Sequence, residues 1–185
     1  MENYWQGALV TLRAMEQGDI ALFEGMSDED ARCYDELAFP RSRGQLAAWF
    51  ERQLQGRIGD EFRWIAVDRD GAAVGTIETF AANRRNRTFK YGLVVAAPFR
   101  GKGYAADMIV KVLDYYFMEL GYEKVTPHVY AFNSRSIHLH EKLGFRQEGR
   151  LRNMVYARGA YHDELHFGMT RDEFMKHYYA NREEC

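Results

Sequence analysis

Arg100-Gly101-Lys102-Gly103 alternates two cations with two glycines, a spacing suited to holding an anion. Ahead of it runs the apolar stretch Leu93-Val94-Val95, and Tyr104-Ala105 follows at once. Apolar residues then recur at Ala105, Met108, Ile109, Val112, Leu113, Tyr116, Phe117 and Leu120, the stripe of a helix buried on one face. Strand, glycine turn and helix N-terminus together make an anion cradle. The first N–H groups of a helix lack internal partners and carry the positive end of its dipole. Glycine lets the backbone approach a phosphate with no Cβ in the way. Residues 100–105 therefore read as a pyrophosphate-binding turn, against the simpler reading of a tight turn with exposed cations.

The turn is neither a Walker A loop nor a dinucleotide fingerprint, which would need glycine where Ala106 stands. Elsewhere Glu78 lies in the otherwise apolar or neutral run Val74-Gly-Thr-Ile-Glu78-Thr-Phe. A carboxylate partly desolvated there suits a general base; turned to the wet side of an antiparallel sheet, it would do nothing. The six histidines, at 128, 138, 140, 162, 166 and 177, show no H-E-x-x-H or Cys/His ligand spacing, so no metal is expected. His162 and His166 are four apart in a strand-like stretch with no partner ligand in view. No G-x-S-x-G elbow occurs, and Cys33 lies in an acidic segment that disfavours a thiolate.

The 185 residues read as one domain, 1–185, with enough chain for a full core. A hydrophobic content of 46% and an aromatic content of 15% fit a packed globular protein. A formal charge of −2, without a basic cluster among aromatics, argues against a nucleic-acid partner. The N-terminus Met1-Glu-Asn-Tyr-Trp5 has no signal-peptide pattern, and no apolar run reaches membrane-spanning length. Two cysteines, Cys33 and Cys185, suggest no disulfide framework, and the expected compartment is the cytoplasm.

The elements that must position these groups follow from periodicity. Residues 8–13 read as a strand, 15–26 as a helix with Ile20, Leu22 and Phe23 on one face, and Ser27-Asp-Glu-Asp30 as a helix start. The acidic stretch continues to Asp35 and Glu36; it either draws a cationic amine or caps and solvates a helix. A helix over 44–55 presents Leu46, Trp49, Phe50 and Leu54. Strands at 62–68, 72–80 and 88–96 form a meander turning at Arg69-Asp70-Gly71. After the long helix, which Gly121 ends, a strand over 124–131 is interrupted by Pro127 and must be splayed or bulged there. A hairpin over 149–156 and 161–169 and a short helix over 171–179 close the chain. The class is α+β: a mixed, mostly antiparallel sheet flanked by helices in the order β-α-α-β-β-β-α-β-α-β-β.

Arg100, Gly103 and Ala105 fill the three fixed places of R/Q-x-x-G-x-G/A, and Asn133-Ser-Arg-Ser136-Ile-His-Leu-His140-Glu-Lys-Leu-Gly144-Phe145 is similar to N-x-x-S…(Y)-E-K-L-G-F. In order and separation these two motifs resemble the GNAT family of N-acetyltransferases over roughly residues 9–170, in the ribosomal-protein N-terminal and spermidine branches. The resemblance implies acetyl-CoA as donor and a primary amine as acceptor, either a small cationic amine or a protein N-terminus, joined by direct transfer in a ternary complex. It implies that backbone groups of Leu93, Val94 and Val95 hold the pantetheine and thioester, and that Arg100, Gly101, Lys102, Gly103, Tyr104 and Ala105 hold the pyrophosphate. Asn133 and Ser136 would also reach the cofactor, and Glu78 stands at a place like that of an acidic residue in those branches. The acid is usually a tyrosine, and here its place is taken by His140, which either protonates the leaving thiolate or packs at a core edge; in the latter case Tyr104 or Tyr130 substitutes or the thiolate leaves through water. That departure keeps open a weakly catalytic acyl-CoA-binding sensor. Family members often dimerise, which makes a homodimer a further expectation.

Overall fold

The three runs between residues 62 and 96 pair as expected, and β1 (Val10–Ala14) extends their meander at one edge. In order these are β2 (Arg63–Asp68), β3 (Ala73–Asn83) and β4 (Thr88–Val95), antiparallel throughout. This is a computed structural model, and it describes residues 3–25, 41–56 and 59–180. Asp68 closes the β2–β3 turn by accepting from the N–H groups of Asp70 and Ala72, with Gly71 at φ 83°.

Between β1 and β2 lie α1 (Ile20–Glu24) and α2 (Arg43–Leu54). The helix expected over 15–26 is only five residues long, entered by a 3-10 turn at Gln17–Asp19. Asp19 causes the shortening: its carboxylate takes the Glu16 N–H and both outer nitrogens of Arg13, which holds the chain in a turn. The acidic stretch 27–36 lies outside the described residues. Ser42 and Gln45 cap α2 reciprocally, and Phe50 packs with Phe23 and Ile65 on one face of the sheet.

The other face is covered by α3 (Tyr104–Met118), whose Met108, Ile109, Val112, Leu113, Tyr116 and Phe117 are buried as the stripe requires. Gly121 stands at φ 69° past its end, and Tyr122 N–H reaches back to the Tyr116 carbonyl. Later come β5 (Lys124–Val125), β6 (His128–Tyr130), α4 (Ser134–Lys142), β7 (Arg146–Ala157), β8 (Ala160–Thr170) and α5 (Arg171–Tyr178). The sheet order is β1-β2-β3-β4-β5-β8-β6, with β7 also on β8. The α+β class and element order agree with the periodicity, though β3 ends three residues later than expected and β7 begins three residues earlier.

Strands β5 and β6 are two halves of one strand. Lys124 faces Thr170 and His128 faces His166, the same register on β8, and the gap falls at Thr126-Pro127. Proline has no N–H to give β8, although its carbonyl still accepts from Phe167. Only Thr88 and Phe89 of β4 pair with β5 in parallel, and the last rung is Thr126 N–H to the Phe89 carbonyl. Past that rung β4 and β6 no longer pair, and their facing edges bound a slot.

Candidate active site

Backbone direction alternates along a strand, so one hydrogen-bonded rung assigns the rest. Ala96 N–H donates to the Val74 carbonyl, which turns the even-numbered residues of β4 toward β3. By the same alternation Phe89 closes the last rung with β5, and Tyr91 and Leu93 beyond it direct N–H and C=O to the slot, as Val95 does its N–H. Leu93 and Val95 turn their backbone groups away from β3, and Val94 does not. Its backbone pairs with Thr76, so its inclusion among the thioester-holding groups is corrected by strand parity.

At the carboxyl end of β4 the chain makes a 3-10 turn, Ala97–Phe99, and Arg100 turns back so that its Nε donates to the Val95 carbonyl at 3.0 Å. Gly101 and Gly103 stand at φ 78° and 88°, a left-handed backbone that L side chains resist. Gly103 is the residue before α3, so the unpaired N–H groups of the first turn open beside it. Lys102 Nζ sits 5.3 Å from the centre of the Phe99 ring, which keeps its charge by the turn. A carboxylate in this first turn, Asp107, would repel a phosphate, but it accepts from Ala8, Leu9 and Val10 N–H at 3.0, 2.7 and 2.9 Å. Its charge is thereby turned away toward the N-terminal segment.

Strand β6 runs parallel to β4, so its carboxyl end lies at the same end of the sheet. There Asn133 caps α4 by accepting from Ser136 N–H at 3.1 Å. Two helix N-termini thus flank the mouth of one slot, the crevice beyond the carboxyl ends of parallel strands where α/β proteins hold ligands.

A family model described as an acetyltransferase (GNAT) domain matches residues 10–146, the span that carries this geometry. The chain belongs to the GNAT acetyltransferase family. It is an acetyltransferase of that type, with acetyl-CoA as the family's donor. It is 52% identical to the SPbeta prophage-derived uncharacterized N-acetyltransferase YokL of Bacillus subtilis, over 93% of this chain and 96% of that one. It is 27% identical to the spermidine N(1)-acetyltransferase of Vibrio cholerae over 95% and 98% of the two chains. A crystal structure of spermidine N-acetyltransferase from Vibrio cholerae in complex with CoA and spermine superposes with a TM-score of 0.80 at 26% identity, covering 90% of this chain and 98% of that one.

Within this GNAT fold, the two acid–base candidates lie on opposite faces of the sheet. Glu78 is on the α1–α2 face, opposite Arg63 on β2 and Gly92 on β4. Gly92 puts no side chain between it and the slot. The carboxylate is not solitary: Arg63 Nη2 meets Oε2 at 2.5 Å, and the same guanidinium lies 5.7 Å from the Trp49 ring centre. To act as a base, Glu78 must give up part of that ion pair.

His140 is on the α3 face and only 4% exposed. Its Nδ1–H donates to the Ser136 carbonyl at 2.7 Å, so Nε2 is the acceptor that takes the Tyr91 hydroxyl at 2.9 Å. The ring is stacked on Phe167 and Tyr91, and burial pushes its pKa below the usual histidine value. Of the two alternatives for His140, this geometry favours packing in the core over proton donation. A neutral imidazole with both nitrogens engaged inside the core has no proton directed at a thiolate.

Periodicity missed the polar group on the other face. His128 and Tyr130 on β6 stand opposite His166 and Glu164 on β8. The signal in the sequence is the i, i+2 spacing of polar residues in both strands, whose pairing only the sheet register supplies.

Proposed function

We propose that this GNAT chain acetylates the primary amine of a small polycationic compound, by direct attack of the amine on acetyl-CoA in a ternary complex. The whole span forms one such domain. The observation that carries the reading is the slot: backbone donors and acceptors line one wall, two helix N-termini flank its mouth, and a face bearing Glu78, Glu164, His128 and His166 meets it from the α1–α2 side. An anionic donor enters from one side and a cationic acceptor from the other. Similarity across nearly the full length to a polyamine acetyltransferase whose structure holds CoA and spermine supports this class of acceptor.

Direct transfer needs three things: a neutral amine, a polarised thioester carbonyl and an exit for the thiolate. The edge N–H groups of Leu93 and Val95 would polarise the carbonyl. Engagement of His140 by Tyr91 and Ser136 favours a second reading, an acyl-CoA-binding module without turnover.

The test is calorimetric titration of acetyl-CoA into the wild type and Gly103→Glu, followed by thiol release over a panel of polyamines and peptide N-termini. Binding lost in the variant supports the cradle, and turnover with polyamines supports the function. Binding with no turnover on any amine overturns it in favour of the second reading.

A further inference from the structure

On the α1–α2 face, beside the slot, four polar side chains stand in a square. Ala131 N–H donates to the Asp163 carbonyl, and Phe167 N–H to the Pro127 carbonyl. By alternation His128–His166 and Tyr130–Glu164 are then the non-hydrogen-bonded pairs of the β6–β8 ladder, the kind in which opposed side chains stand closest. The His128 ring centre is 6.2 Å from that of His166 and 6.1 Å from that of Tyr130. His166 Nε2 lies 2.7 Å from Glu164 Oε1. Val129, Leu165 and Phe167 point to the opposite face and are buried, which fixes the square on the acceptor side.

Resting on the polyamine-acetyltransferase reading above, we infer that His128 is the base that takes the proton from the acceptor ammonium, with His166 and Glu164 as positioning residues. Pairing with β8 leaves the backbone of His128 directed at the slot, on the strand that forms its second wall. An alkylammonium resembles lysine, with a pKa of about 10.4, and cannot attack until it loses a proton. Imidazole takes that proton at neutral pH. The N–H bond breaks toward a His128 nitrogen, the freed lone pair attacks the thioester carbon, and the thiolate leaves. The imidazolium so formed is compensated by Glu164 through His166. A carboxylate here also draws the cation in. This division leaves the Glu78–Arg63 pair intact as a fixed element of the acceptor face.

Among the described residues, the charged groups on the same sheet face as His128 include Glu164 and His166 opposite it on β8, Lys90 on β4, Glu78 with Arg63 beyond it, and the Lys124–Glu148 pair.

The experiment compares wild type with His128→Gln, His166→Gln and Glu164→Gln in thiol release with spermine from about pH 6 to 9, with acetyl-CoA affinity measured by calorimetry for each. His128→Gln is expected to keep acetyl-CoA affinity within about threefold. It should lose on the order of 100-fold or more in kcat, and with it the near-neutral limb of the pH profile, with added imidazole restoring part of the rate. Glu164→Gln and His166→Gln should lower kcat less and retain the limb. A His128→Gln enzyme with near-normal kcat and the same pH limb overturns the assignment alone. A wild type that binds acetyl-CoA yet acetylates no amine overturns the parent reading and the base together.

Discussion

Replacing His140 with phenylalanine tests whether this histidine is structure or chemistry. The ring sits among Tyr91, Phe145 and Phe167, with centroids 5.9, 5.1 and 5.3 Å away, so a phenyl group fits the same stack. What it cannot do is accept from the Tyr91 hydroxyl, and Tyr91 is itself only 6% exposed. Leaving that hydroxyl unpaired costs about 1–3 kcal/mol. The Ser136 carbonyl, the other partner, remains in the helix ladder of α4 and adds little. A loss of about 2 kcal/mol lowers Tm by roughly 4–8 °C in a chain of this size. Tyr91→Phe in the same background removes the stranded hydroxyl and should recover most of the loss. Urea titrations of the two single variants and the double variant give the coupling. The pH dependence has a definite sign. Burial depresses the folded pKa of His140 below its unfolded value near 6.5. Its stabilisation is therefore complete above about pH 6.5 and is lost as pH falls from there toward the folded value. The advantage of wild type over His140→Phe must shrink between pH 7.5 and 5.5. An advantage that widens on acidification, or a double variant whose losses simply add, would refute the buried-pair account. A stable His140→Phe enzyme with kcat down 100-fold would return His140 to the chemistry.

The remaining predictions concern the scaffold of the slot. Asp107→Ala strands the Ala8, Leu9 and Val10 N–H groups; because the first two lie near water the cost is discounted to about 2 kcal/mol, read as a Tm lower by roughly 4–8 °C. Gly75→Ala places a Cβ 2.3 Å from the Val94 carbonyl oxygen and 3.1 Å from Val95 Cα, both backbone, so β3 must move from β4. About 1–3 kcal/mol of stability should go, and acetyl-CoA affinity with it, because the far edge of β4 is the slot wall. Gly18→Ala, with nothing within 4 Å of the new Cβ, is the control and should change neither the melting temperature nor the affinity.

The fold was largely legible because its signals are local. A 3.6-residue stripe from Ala105 to Leu120 and alternating runs from 62 to 96 need no tertiary information, and Pro127 announced the break between β5 and β6. The site was legible only where it rests on backbone geometry. Gly101 and Gly103 adopt the positive φ their identity allows, and Asn133 is the cap its type favours. Side-chain roles were harder, because a role depends on which face a residue takes and what it meets there. Glu78 read as a lone carboxylate because Arg63 is fifteen residues away in sequence and adjacent only through strand pairing. His140 read as a possible acid because nothing local reveals that Tyr91, forty-nine residues earlier, occupies its acceptor nitrogen.

Strand parity divides the work of this sheet. On β4, odd-numbered side chains such as Phe89 and Tyr91 anchor α3, and the same residues' backbones face the slot, so the wall for the donor is rigid because its side chains are core. On β6 the slot-facing residues are His128 and Tyr130, and their side chains point to the other face. The donor is therefore gripped by main chain and the acceptor met by side chains. Substitutions on the β6–β8 square can change the amine without disturbing the cradle, whereas a change on β4 must act on both. Acceptor choice in this chain should accordingly map to His128, Tyr130, Glu164 and His166. Donor affinity should map to Gly75, Gly103 and the edge of β4, and a substitution in the square that altered acetyl-CoA binding as strongly as amine turnover would contradict that division.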